Sequence, residues 1–172
     1  MNKRRLGIVH MLSGQAAETI NKLRWKYDPK SARAVGAHVT LAGPFDTEAP
    51  LEEIKDTIDG IVKGIEPFDV QIEGVDTFLQ NPFVCYFCIE PREKLASINS
   101  LLIAQLGWKD KFSYHPHVTV TEYLSREETE ELFKQLQQLE IRMRDRMDKI
   151  TLVERNEEGA WIPVAEFILE KC

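Results

Sequence analysis

Two of the four histidines in this 172-residue chain open the same pattern, His38-Val39-Thr40-Leu41 and His117-Val118-Thr119-Val120. A strand sends residues i and i+2 to one face, so each copy projects an imidazole beside a hydroxyl while its apolar residues turn away. Unperturbed imidazoles titrate near pH 6.5, and two in one cleft can divide into a base and an acid at neutral pH. Displacement at phosphorus needs that division. The base deprotonates an attacking water or hydroxyl, the acid protonates the departing oxygen, and Thr40 and Thr119 donate to the non-bridging oxygens where negative charge builds. Chemistry of this kind requires no metal and no cofactor.

Other chemistries fit the residues less well. His115 and His117 with His38 would supply three metal ligands, but neither motif has Asp, Glu or Cys at short ligand spacing, and Pro116 interrupts the pair. There is no nucleophile elbow or matching Cys or Ser dyad. Cys85-Tyr86-Phe87-Cys88 lies in an apolar run that reads as a strand, where a spacing of three puts the thiols on opposite faces and favours packing over redox work.

The elements that must hold the two motifs follow in order. A strand over 5–12 precedes a helix over 16–27 striped by Ala16, Ile20, Leu23 and Tyr27, and a polar loop over 28–36 leads into the first motif strand, 37–45, ended by Gly43-Pro44. A helix over 50–65 carries Leu51, Ile54, Ile58, Ile61, Val62 and Ile65 on one stripe. Strands over 68–79, weakened at Gly74, and 83–90 flank Asn81-Pro82 as a hairpin or a crossing between lobes. A helix over 92–106 stops at Gly107, and a polar, aromatic loop precedes the second motif strand, 117–123. Ser125 and Glu128 form a capping box for a helix over 126–139. Residues 141–155 and 160–169 then close the chain as a hairpin around 156–159, with Trp161 expected in the core and His10 an ordinary strand or rim histidine.

The motif histidines stand 79 positions apart, and the same offset lays Leu6–Leu12 over Cys85–Pro91 and the first helix over that at 95–106. The chain therefore reads as one bilobal domain over 1–172 with approximate repeats 4–80 and 83–160 and a final strand to 170, its two motifs facing a shared cleft. Loops 28–36 and 107–116 are expected to set specificity. Phe45 and Tyr114 flank the motifs and are candidates to stack on a base, with core packing the alternative and the favoured one for Phe45. Arg33, Lys109 and Lys111, in the loops, are candidates to attract phosphate, with solvated surface charge the favoured alternative for each.

Composition narrows the partners. With 43% hydrophobic and 29% charged residues the chain is an ordinary globular protein, and a net charge of -6 argues against a long nucleic-acid footprint, hence against duplex DNA. No apolar run is long enough for a bilayer, and the basic start at Lys3, Arg4 and Arg5 precedes too short an apolar stretch for a secretory signal. A cytoplasmic monomer with no membrane partner is the expectation.

The sequence resembles the two-histidine (2H) phosphoesterase superfamily, whose members carry paired H-h-[ST]-h motifs (h apolar). His38 through Phe45 and Tyr114 through Val120 carry the likeness, and the Gly-Pro-Phe tail of the first motif and the proline before His117 are similar to bacterial 2′-5′ RNA ligase and cyclic phosphodiesterase members. The resemblance implies an α+β fold: a duplicated, bilobal domain of two antiparallel sheets with outer helices and a central cleft. It also implies hydrolysis or reversible opening of 2′,3′-cyclic or related 2′-linked phosphodiesters of a nucleotide or RNA end. His38 and His117 take the catalytic positions and Thr40 and Thr119 the phosphate-binding ones. Family comparison has His117 activate the nucleophile and His38 protonate the leaving group in hydrolysis, with the roles reversed in ligation. Two alternatives stand beside it: a module that binds RNA ends or phosphorylated metabolites without turnover, and a hydrolase of a non-nucleotide ester.

Overall fold

Strand character follows the pattern of burial that each run can satisfy. Val84 to Glu90 is apolar almost throughout and becomes a central strand buried on both faces, whereas Arg142 to Met147 alternates arginine with smaller residues and becomes an edge strand. The computed structural model describes residues 3–109 and 112–170. Its elements are β1 (Arg4–Met11), α1 (Gly14–Tyr27), α2 (Pro29–Ala34), β2 (His38–Thr47), α3 (Leu51–Val62), β3 (Phe68–Phe78), β4 (Val84–Glu90), α4 (Arg92–Leu106), β5 (His117–Thr121), α5 (Arg126–Gln137), β6 (Arg142–Met147), β7 (Lys149–Arg155) and β8 (Trp161–Ile168).

They form an α+β fold of two four-stranded antiparallel sheets, sheet A in the order β2-β1-β7-β8 and sheet B in the order β5-β4-β3-β6. The motif strands β2 and β5 each lie at an edge, and the two edges abut. α3 and α4 pack against strands of sheet A, while α1 and α5 pack against strands of sheet B. The core holds the apolar residues of both motifs, with Val39, Leu41, Val118 and Val120 fully buried beside Leu6, Ile8, Phe87 and Ile89. Their burial turns the imidazoles and hydroxyls to the opposite face. Cys85 belongs to this core, and burial pushes its thiol up to about 12. Among the described residues no helix is long and apolar enough to cross a membrane.

Helix ends obey local chemistry. Ser125 accepts from the Glu128 backbone N–H while the Glu128 carboxylate accepts from Ser125 N–H, closing the capping box at α5. Gly107, at φ 68°, ends α4 in the left-handed region.

Three expectations change. The loop over 28–36 contains the short helix α2, begun by Asp28, whose carboxylate accepts from Ser31 N–H, with Pro29 at the first helical position. Residues 141–155 are not one strand. β6 and β7 part at Asp148 and enter different sheets, so the closing hairpin is β7 with β8 alone. Nor do the stretches paired by the 79-residue offset coincide with the lobes. The offset carries β1 to β4, β2 to β5 and β3 to β7, yet β3 pairs with β4 in sheet B and β7 with β1 in sheet A.

Candidate active site

His38, Thr40, His117 and Thr119 all line one cavity of about 400 Å³ between the abutting sheet edges. That volume suits a small ligand. The imidazoles are held alike: Nδ1–H of His38 donates to the Gly36 carbonyl at 2.8 Å, and Nδ1–H of His117 donates to the His115 carbonyl at 2.7 Å. A carbonyl only accepts, so each Nδ1 keeps its proton and each Nε2 is left bare as an acceptor in the neutral ring.

Their surroundings differ. Burial pushes His38 down to about 4; the Gly36 carbonyl opposes this, and the charges of Arg24 and His117 add to it. Burial also lowers His117, against the pull of the His115 carbonyl and with the His115 ring adding to the shift. The His117 ring lies edge-on to Phe78 at 5.2 Å and 5.1 Å from Tyr86. His115 precedes β5, and its Nε2 is 3.2 Å from the Tyr86 hydroxyl. It does not line the cavity, and among the described residues no cluster of three or more His, Cys, Asp or Glu has metal-binding geometry.

Edge strands leave backbone carbonyls without a ladder partner, and side chains supply the missing donors. Asn99 Nδ2 of α4 donates to the Leu41 carbonyl at 2.8 Å, and the Tyr114 hydroxyl donates to the Thr40 carbonyl at 2.9 Å. Arg24 of α1 does the same for β5. Its guanidinium donates to the Thr119 carbonyl at 2.6 Å and, at 3.0 Å each, to the Ser31 carbonyl, Ser31 Oγ and the Val35 carbonyl. Arg24 is 1% exposed, and one buried charge thus ties α2 and the approach to the first motif to the second motif strand. Asp28 completes the tie by accepting from the backbone N–H groups of Glu122 and Tyr123. Gly43 brings the first motif's tail close to β1. At φ 100°, a Cβ there would stand 3.1 Å from the Leu6 carbonyl oxygen and 3.3 Å from Gly7 Cα, so only glycine fits.

The other candidates fall elsewhere. Phe45 packs on the core against Trp108, Tyr114 serves through its hydroxyl as described, and the exposed Arg33 lies 5.9 Å from the Trp25 ring; none of the three lines the cavity. Lys109 is exposed and does not line it, and Lys111 lies outside the described residues. Trp161, expected in the core, is half-buried and lines the cavity. His10, expected at a strand end or rim, is 1% exposed and bridges the two sheets through Asp145 of β6 and the Lys149 carbonyl. Sequence reasoning passed over Arg5, Arg24, Glu122 and Arg155, all lining the cavity. Arg24 carried a signal, four residues after Ile20 on the stripe that begins at Ala16.

Comparisons with known proteins agree with this architecture. The family model of the 2′-5′ RNA ligase superfamily matches residues 12–159. A protein of Bacillus pumilus strain SAFR-032 that carries a phosphoesterase name is 29% identical, the alignment covering 95% of this chain and 96% of that one. A similarly named protein of Halalkalibacterium halodurans is 28% identical over 96% of this chain and 97% of its own. Among solved structures, apo LigT of E. coli superposes with a TM-score of 0.68 at 18% identity, covering 99% of this chain and all of the other. The protein TT0787 of Thermus thermophilus gives 0.64 at 17% identity, over 97% and 98% of the two chains. Paired motifs on abutting sheet edges, a shared fold and a family match across most of the sequence place the chain in the 2′-5′ RNA ligase superfamily of two-histidine phosphoesterases.

Proposed function

We propose that this protein is a phosphoesterase that opens a 2′,3′-cyclic or related 2′-linked phosphodiester of a nucleotide or RNA end, acting as a monomer whose single domain spans 1–172. The observation that carries the reading is the matched tethering of His38 and His117, which presents two Nε2 atoms and two threonine hydroxyls to one cavity. In hydrolysis His117 Nε2 takes a proton from water, the water oxygen bonds to phosphorus, and the bond from phosphorus to one ribose oxygen breaks. His38 gives that oxygen its proton, and Thr40 and Thr119 donate to the non-bridging oxygens. Run backward, the same steps join a ribose hydroxyl to a phosphomonoester and release water, with the histidine roles exchanged.

His38 must therefore be protonated in the complex, although burial and Arg24 disfavour this in the free site. The bound phosphate anion supplies the opposing charge. A panel of 2′,3′-cyclic nucleotides, 2′-5′ dinucleotides and cyclic phosphate sugars tests the reading. Cleavage of at least one is expected, with His38→Ala and His117→Ala each lowering the rate about 10²- to 10⁴-fold and leaving the circular dichroism spectrum unchanged. An unaffected rate in either variant would sink the assignment, and binding without turnover would make the protein a binding module.

A further inference from the structure

The cavity is longer than the reacting centre needs, and the extra length runs along sheet A. Beyond Thr40 its floor continues through Val9 and Gly7 of β1 and Val153 of β7. β1 pairs with β7 at Leu6 and Glu154, so continuing that antiparallel register by one residue sets Arg5 opposite Arg155. Arg155 pairs in turn with Trp161 of β8. Two guanidiniums and an indole form one row across three strands, and all three line the cavity. A Cβ on Gly7 would stand 3.7 Å from Trp161 Cζ3, so the ring edge lies close to a strand with no side chain at that point.

Such a row is unfavourable unless something neutralises it. Like charges directly opposite each other on paired strands are destabilising. Arg155 has no hydrogen-bond or ion-pair partner among the described residues, and the carboxylate near Arg5, Asp46, stands 3.5 Å away and is shared with Lys3. Across the cavity Glu122 opposes an incoming anion, but burial raises its carboxyl above the usual range while Arg24 and Arg155 pull it back. Thr40 pairs with Val9, four residues along β1 from Arg5, or about 13 Å. That gap leaves room for one nucleoside, and the Arg155 guanidinium lies toward the β7–β8 turn at the far end of the cavity, 3.5 Å from where a Cβ on Gly159 would stand.

Resting on the phosphoesterase reading above, we infer that Arg5, Arg155 and Trp161 form a second subsite, holding a base against Trp161 and a second phosphate between the arginines. The substrate is then a nucleotide phosphorylated at both ends, or the end of an oligonucleotide, in preference to a bare nucleoside cyclic phosphate.

Calorimetric titration of the full chain with adenosine 2′-phosphate, adenosine 2′,5′-bisphosphate and a diadenosine nucleotide ending in a 2′-phosphate tests this. The bisphosphate should bind about tenfold or more tightly than the monophosphate. That ratio should fall toward one in Arg155→Gln and Arg5→Gln, both at exposed positions where no buried contact is lost. Trp161→Leu should weaken nucleotide binding more than inorganic phosphate binding. A gain by the dinucleotide as well assigns the subsite to an internal phosphodiester, and a gain by the bisphosphate alone assigns it to a terminal phosphate. Equal wild-type affinity for mono- and bisphosphate, with both lost in His38→Ala, overturns the subsite and leaves the phosphoesterase reading standing. Absence of both nucleotide binding and cyclic nucleotide cleavage removes that reading and the subsite with it.

Discussion

A histidine buried near another cation holds its proton weakly, and His38 is such a residue, titrating near 4 with the Arg24 charge nearby. An unfolded histidine titrates near 6.5. Stability linked to His38 is thus fully present above about pH 6.5 and is lost as pH falls toward the folded value, because the unfolded chain takes the proton first. Phosphate binding has the opposite dependence. A bound anion favours imidazolium, so adenosine 2′-phosphate should bind with proton uptake and tighten as pH falls from about 8 toward 6; titration in buffers of differing ionisation enthalpy measures the uptake, and none is expected if the ring stays neutral. The four motif residues were legible because the chain repeats them. Trp161 was not, since alternation shows which residues share a face and not which face borders a cleft.

At the scale of elements, the site depends on how edge strands are held. Arg24 donates four hydrogen bonds from a fully buried position, and Arg24→Met would leave the Thr119, Ser31 and Val35 carbonyls short of donors. A loss of about 3 kcal/mol in urea unfolding is expected, and in the folded fraction the His38 titration should move upward as the neighbouring charge disappears, measurable by NMR. The stripe marks Arg24 as inward-facing but not what it binds, because one partner, the Thr119 carbonyl, lies 95 residues along the chain and the nearer ones at Ser31 and Val35 converge on it only once α2 has folded. Helix α2 could have been recognised from Asp28-Pro29, a cap followed by proline at the first helical position, but six residues are too few to show a period. The break between β6 and β7 was hard to read, since a single residue, Asp148, separates an alternating edge strand from one buried over Ile150 to Val153.

For the whole molecule, the two sheets are joined by a buried polar link as well as by apolar packing. His10 of β1 presents Nε2 to Asp145 of β6 at 2.9 Å and Nδ1 to the Lys149 carbonyl at 3.1 Å, and Asp145 also accepts from the Ser13 hydroxyl and backbone N–H. Burial alone would raise the Asp145 carboxyl, but the hydrogen bonds from His10 and Ser13 hold it below the usual range. Its contribution is therefore present above an unfolded aspartate's value near 3.9 and lost as pH falls through the lower folded value. Asp145→Asn should cost about 3 kcal/mol at pH 7 in equilibrium unfolding and flatten the acid limb of stability against pH. The two-sheet α+β fold was legible from element order and motif resemblance. The pairing of β3 with β4 was legible as a hairpin or a crossing between lobes, but the exchange that sets β7 beside β1 was not, because strand partners distant in sequence leave no signature in either strand. That exchange bears on how the protein is made. During synthesis the first histidine motif emerges early, yet sheet A lacks β7 until residue 155 has left the ribosome, so nearly the whole chain must be present before either half of the site has a finished scaffold.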